Sequence, residues 1–534
     1  MASSASADAT WLPSAGLLAG HEFDQTTIAA TLVALLTLPV IASYLLGKKD
    51  NGIPLANPPR RFQPEAMAKI EFSTDAPRIL KEARERFPNK PFRYLSPWGM
   101  INLLPSDMAL TVKNNAPLLS FRKKLSERHP AIIPGFETFR NLDHPGEVVQ
   151  NVVKKHLTKR LNTITEPLAL ETAFAVNKLL GQPSDWAETP LYDTMLGLVA
   201  RLSSRVFLGP ELCRDAAWLD ITANYTKAEI QAFVALGFFP YLLRPIIAFF
   251  DPTCRAVARE KARAVLIVEG ELERRRKEKQ ECAAQGVAPP TYNDAIEWAE
   301  MEAGSPPVNP TDFQLTLSFA AIHTTTDLIS QTMLMLAMTP GSIEALREEA
   351  VEVLASGGWT KNSLYHLKLM DSALKEAQRV RPPAYDGLQR KAMADFVLPN
   401  GQKLRKGDLV AVDEHAGLWD QHENPEKFDM YRFRRMRETA GGEHKAQLVS
   451  TTPEHMVFGL GKYACPGRFF AANEVKIALC HLLLKYDWEL APGTPTDPIV
   501  AGGLPAIDPA ARLRRRVRVP EIDLDALEVE KTAE

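Results

Sequence analysis

Apolar residues recur at helical spacing along most of this chain, and the departures from that pattern mark its organisation. From residue 26 to 46 no charged side chain occurs. A helix of about 20 apolar residues spans a hydrocarbon core of about 30 Å, so this stretch predicts a transmembrane anchor. Residues 1–25 before it carry Asp8, Glu22 and Asp24 but no Lys or Arg, and Lys48 and Lys49 follow it. That bias leaves the tail luminal and puts the rest of the chain on the cytosolic side. The missing positive n-region and the length of the span speak against a cleaved signal. Residues 47–62, with Pro54, Pro58 and Pro59, read as a stiff linker. The body, 63–520, reads as helical to about Arg381, as short strands and turns over 382–412, and as an apolar helix over 468–485; 521–534 form a tail. A second apolar run, 232–250, is broken by Pro240, Arg244 and Pro245, which predicts two short helices touching a membrane or covering a pocket. Alternating charge over 255–279 predicts a solvated helix, and 512–518 the exposed side of a late strand.

Composition narrows the class without naming a chemistry. Among 534 residues, 45% are hydrophobic and 24% charged, which excludes a disordered chain, a collagen and a disulfide scaffold. A net charge of −2 argues against a nucleic-acid-coating protein. Cys213, Cys254, Cys282, Cys465 and Cys480 include no CxxC pair, so free thiols are expected rather than a disulfide framework or a Cys-rich zinc site.

Three constellations carry chemistry. The first is Phe458-Gly-Leu-Gly461-Lys-Tyr463-Ala-Cys465-Pro-Gly467, followed by the apolar helix. Its glycines permit tight turns and leave N–H groups free to face the sulfur, and a helix start beside Cys465 favours a thiolate, a strong axial ligand for haem iron. Two other readings compete: a dinucleotide-binding glycine loop, opposed by Pro466 where a helix would already run, and a buried structural cysteine. The second is Glu376-Ala-Gln-Arg379, three apart and so on one helix face, with Arg432 further on. The third is a long helix that opens at Asn309-Pro310 and stops at Pro340, roughly 44 Å at about 1.5 Å per residue. Its middle reads Ala320-Ala321-Ile-His323-Thr324-Thr325.

The cysteine loop resembles the haem-binding signature of the cytochromes P-450, Phe-x-x-Gly-x-x-x-Cys-x-Gly, with Phe458, Gly461, Cys465 and Gly467 in register. Tyr463 stands where the family often has Arg or His reaching a haem propionate. The resemblance implies a structural triad of Glu376, Arg379 and Arg432 bracing that loop. It places Thr324 at the hydroxyl of the family's oxygen-activating segment, with Ala321 and His323 replacing the usual Gly and acid. His323 is then either a neutral core histidine or a proton relay. Arg390, and His156 with Arg160 four residues apart, take propionate-contacting positions.

The family further implies a mainly α fold with small β-sheets, haem b, electrons from NADPH through cytochrome P-450 reductase, and anchorage in the endoplasmic reticulum membrane. Lys427, Lys462 and Arg468 are basic contacts available for docking the reductase. Substrate would be lined by Ala320, Ala321, Thr324, the turn around Ala384, and residues near 121–138 and 501–507. The segment with His resembles membrane-bound fungal members of secondary metabolism, so the expected reaction is oxidation, by hydroxylation or a related step, of a bulky hydrophobic natural product: a terpenoid, indole alkaloid or polyketide. Oxidative coupling or rearrangement without oxygen insertion is the alternative, and a membrane haem- or lipid-binding protein without turnover a distant third.

Overall fold

Asn309 sets the start of the element around which the fold is assembled. Its Oδ1 accepts from the Asp312 N–H at 2.9 Å and Pro310 occupies the first turn, a cap and an N1 proline that both favour helix initiation. The resulting central helix, Pro310–Met338, is the expected 29-residue element. It appears in a computed structural model of the chain that describes residues 52–61, 63–128, 132–302, 304 and 307–527. The helix is buried on nearly all sides, as a helix apolar all round must be. Helices Leu191–Phe207, Ala216–Gly237, Lys368–Val380 and Arg468–Lys485 pack against it.

Helix Lys368–Val380 begins where Glu349, from the neighbouring helix Ser342–Gly357, accepts from the N–H groups of Leu369 and Met370 at 2.6 and 2.8 Å. A carboxylate there satisfies orphan donors at the positive end of the helix. Pro382 and Pro383 follow its end. The chain then turns into β5 (Asp386–Ala392), the β6–β7 hairpin (Phe396–Val397 and Lys403–Leu404) and β8 (Leu409–Asp413), matching the strands expected over 382–412.

β5 and β8 join a five-stranded sheet whose order is β1 (Phe92–Ser96), β2 (Gly99–Leu104), β8, β5, β3 (Leu119–Ser120). β2 pairs with β8 in parallel; β5 pairs with β8 antiparallel, with a register shift between Gly387 and Arg390. A three-stranded sheet orders β4 (Ala187–Pro190), β12 (Arg512–Val517) and β9 (Tyr486–Leu490), so the late arginine-rich strand is present. β10 (Ile499–Ala501) and β11 (Leu504–Ala506) make a hairpin.

Two expectations need correction. β1, β2 and β4 lie in a region read as helical; β1 and β2 are buried on both faces over much of their length, which removes the alternation that signals a strand. The run 232–250 is not a pair of short helices. Its first part completes the long helix Ala216–Gly237, and only Arg244–Phe250, beyond Pro240, is a separate short helix. That segment leaves Leu242, Phe249 and Phe250 at 73, 74 and 70% exposure. The anchor expected over 26–46 lies outside the described residues. Among those described, no helix is long and apolar enough to cross a membrane.

Candidate active site

A cavity of about 590 Å³ opens between the central helix, the chain from Pro383 to Arg390 and the loop that carries Cys465. Helix Arg468–Lys485 starts three residues after that cysteine. In the loop the Cys465 N–H donates to the Phe458 carbonyl at 2.7 Å and the Ala464 N–H to the Gly461 carbonyl at 3.0 Å. Gly461 is required twice: its φ is +68°, and a Cβ there would meet the Lys113 side chain at 2.6 Å. Burial pushes the Cys465 thiol up, while the N–H groups of Gly467 and Arg468 and the Arg468 guanidinium pull it back. Arg468 also donates to the carbonyls of Cys465, at 2.8 Å, and Val449, at 3.0 Å. Apart from the sulfur the floor is apolar, formed in part by Phe458, Ala464 and Pro466.

Across the cavity stand Ala320, Ala321, Thr324 and Thr325 of the central helix. Thr324 Oγ1 donates to the Ala320 carbonyl at 2.8 Å, which leaves its lone pairs toward the cavity. Arg390 is 3% exposed, and its Nη1 donates to the Gln389 carbonyl at 2.8 Å. Its Nε and Nη2 have no partner, and burial lowers its pKa to about 10. The guanidinium lies 4.9 Å from the Tyr463 ring centroid. The Tyr463 hydroxyl donates to the Ala116 carbonyl at 3.4 Å, so this residue offers the site its ring rather than its O–H.

Glu376, Arg379 and Arg432 come together outside the cavity. Arg379 Nε and Nη2 bind the two Glu376 oxygens at 2.8 and 2.9 Å, with both residues fully buried, and Arg432 Nε lies 3.1 Å from each oxygen. Arg379 also holds the Leu418 carbonyl at 2.8 Å, and Arg432 the Glu423 carbonyl at 3.0 Å. The cluster therefore ties the long connection after β8 to helix Lys368–Val380.

The chain from 309 to 510 matches the family model described as Cytochrome P450. Over 519 residues, 96% of this chain and 93% of its relative, it is 41% identical to cytochrome P450 monooxygenase hepE of Aspergillus oryzae. The chain belongs to the cytochrome P450 family. It is also 40% identical to cytochrome P450 monooxygenase TRI1 of Fusarium sporotrichioides, over 89% of this chain and 86% of that one. Retinoic-acid-bound cyanobacterial CYP120A1 has the same fold at 18% identity, with a TM-score of 0.65 over 87% of this chain and all of that one. The protein is thus a P450 monooxygenase, mostly helical with small sheets, and membership implies a haem-iron cofactor and electrons from a redox partner.

The residues present fit such a cofactor: a cysteine partly exposed on the floor of a largely apolar cavity, and two orphaned guanidinium N–H donors on Arg390 suited to a carboxylate. Three predicted residues are not brought to the cavity. His156 bonds Glu302 Oε1 at 3.0 Å and stacks on Trp298. Arg160 reaches Asn293 at 3.5 Å. His323 shares a 2.9 Å hydrogen bond between Nδ1 and the Tyr192 hydroxyl, and burial lowers its pKa to about 4. It is absent from the cavity lining, its imidazole being held by Tyr192 instead. Of the basic contacts, Lys427 and Lys462 are exposed, whereas Arg468 is partly buried and bonded to the loop itself.

Sequence reasoning passed over a polar corner of the cavity. Asp386 accepts from the Tyr94 hydroxyl and from Gln389 Nε2, each at 2.6 Å. Lys124 Nζ bonds Gln389 Oε1, and burial lowers its pKa to about 7. Glu414 is 5% exposed, and burial with the Asp386 and Asp413 charges raises its pKa to about 8. The available signal was an Asp413-Glu414 acid pair closing the apolar strand β8, with Glu414 facing Gly387, where a Cβ would sit 2.0 Å from its Oε1.

Proposed function

We propose that this P450 inserts oxygen into a bulky hydrophobic natural product of fungal secondary metabolism, of terpenoid, indole alkaloid or polyketide type. Cys465 would hold the haem iron through its thiolate, Arg390 would bind a haem propionate, and Phe458 with Tyr463 would pack against the ring. Bound haem supplies dioxygen activation and delivery of one oxygen atom to the substrate, the other leaving as water. The protein's part is to hold the substrate, keep water out and move protons. Ala320, Ala321 and Ala384 leave room for a wide ring system beside the sulfur. Thr324 Oγ1, anchored to the Ala320 carbonyl, accepts a hydrogen bond from the cavity side and passes a proton inward. The Glu376–Arg379–Arg432 cluster positions the chain that supports the cysteine loop. Electrons come from NADPH through a reductase docked near Lys427 and Lys462, with residues 26–46 anchoring the body to the endoplasmic reticulum membrane.

The observation that carries this reading is the placement of Cys465, Thr324 and the orphan donors of Arg390 on one apolar cavity. The reduced, carbon-monoxide-bound absorption spectrum tests ligation: a long-wavelength band that disappears in Cys465→Ala is expected. With a reductase present, oxygen-18 from dioxygen appears in the product. A product without label overturns oxygen insertion.

A further inference from the structure

We propose that Glu414 binds a hydroxyl group of the substrate, so the molecule that enters the cavity is already oxygenated. The inference rests on the cavity being the substrate site and specifies what that site recognises. Each other acid in this corner has its partners. Asp386 holds Tyr94 and Gln389, and Asp413 takes Arg84 through Nε and Nη2 at 2.7 and 2.9 Å. Glu414 Oε1 is buried on the cavity wall without a hydrogen-bond partner. A buried polar atom left unpaired costs about 1–3 kcal/mol, and proteins retain such an atom where a ligand completes it.

The backbone is shaped to place it there. β5 is bulged between Gly387 and Arg390, Leu388 takes a left-handed φ of +47°, and only a glycine at 387 leaves room for the Glu414 carboxyl. Bulges beside active sites re-aim side chains, and a strained non-glycine residue persists only where the surroundings hold it.

Charge selects the ligand class. Lys124 and Asp386 face each other through Gln389 and roughly cancel. With Asp413 taken by Arg84 as well, the corner offers a charged substrate group no unspent counter-charge besides Glu414. A hydroxyl is neutral and donates to Glu414 Oε1, the acceptor left open on the wall. The reaction that supplies this substrate therefore leaves a hydroxyl on it.

The test uses the full-length, haem-loaded protein and three rigid probes far smaller than the cavity: 1-adamantanol, 1-methyladamantane and adamantane-1-carboxylate. Binding is read from the shift in melting temperature and from the haem absorption change. The alcohol is expected to bind about tenfold more tightly than the methyl compound, and more tightly than the carboxylate. Glu414→Gln keeps most of that preference and Glu414→Leu abolishes it. Equal affinities in the wild type, an unbound alcohol, or a preference that survives Glu414→Leu overturns the proposal; the last is the result if a fixed water fills the corner. A missing long-wavelength carbon-monoxide band in the wild type would instead sink the haem-thiolate reading, while the melting shifts still decide this one.

Discussion

Replacing Arg390 with Met should change haem affinity and haem-free stability in different directions. In the wild type the guanidinium is buried with Nε and Nη2 unpartnered and only Nη1 bonded, to the Gln389 carbonyl. Without a carboxylate opposite them, two stranded donors each carry a desolvation penalty of about 1–3 kcal/mol. Met fills much of the same apolar volume and removes that penalty. It also gives up one neutral hydrogen bond worth about 1 kcal/mol and the contact with the Tyr463 ring, worth about 0.5–2 kcal/mol. The haem-free variant should therefore melt at or slightly above the wild-type temperature. The loaded protein loses a charge-assisted hydrogen bond of about 1.5–3 kcal/mol, a drop of about 10- to 150-fold in haem affinity. Protein expressed under haem limitation gives the first quantity by thermal denaturation, and haem transfer to apomyoglobin gives the second. A haem-free variant destabilised by more than about 1 kcal/mol, with haem transfer unchanged, would refute the reasoning and make Arg390 a structural residue.

Four further outcomes follow from the geometry. Glu376→Ala strands Arg379 with no exposed surface, a loss of about 3–5 kcal/mol; the urea midpoint should fall, and the double variant Glu376→Leu/Arg379→Met should recover part of it. Glu474 is fully buried, accepts from Ser203 Oγ at 2.8 Å, and burial raises its pKa to about 8. The folded state thus holds a proton that the unfolded state releases near about pH 4.3, so stability falls as pH rises from there to about 8. Glu474→Gln should flatten that slope in urea titrations at a series of pH values, and parallel curves would count against it. Thr324→Val keeps the shape and should leave substrate binding intact while lowering turnover. His323→Gln should leave the pH profile of turnover between about 5 and 8 unchanged, because the imidazole faces Tyr192 rather than the cavity.

What could be read from the chain without coordinates was what depends on short-range spacing. Asn309, Pro310 and Pro340 delimit the central helix because caps and breakers act within a turn. Glu376 and Arg379 meet because three residues share a helix face. The first strands escaped because burial on both faces erased their alternation. His156 and Arg160 failed for a different reason. The i, i+4 argument assumes a regular helix, yet Val152–Leu157 winds as a π-helical turn in which the Thr158 N–H bonds the Val153 carbonyl, five residues back. An extra residue per turn shifts the phase of everything after it, and the pair ends against Trp298 and Glu302 instead of the cavity.

Side-chain partners separate the two polar residues at the centre of the site. His323 and Thr324 are neighbours in sequence and so about 100° apart around the axis. The lining positions of this helix run from Thr316 and Phe319 through Ala320, Ala321 and Thr324 to Thr325, a broad arc that takes in the direction of residue 323. His323 is nonetheless absent from the lining and sits between helices Leu191–Phe207 and Ala216–Gly237, where Tyr192 bonds its Nδ1. A motif match records that both residues are present, but the partner each side chain takes separates them. With the imidazole bonded to Tyr192, the hydroxyls of this segment that line the cavity are those of Thr324 and Thr325. That makes the polar corner at Lys124 and Glu414, opposite an otherwise apolar wall, the place where this P450 departs from a purely hydrophobic pocket.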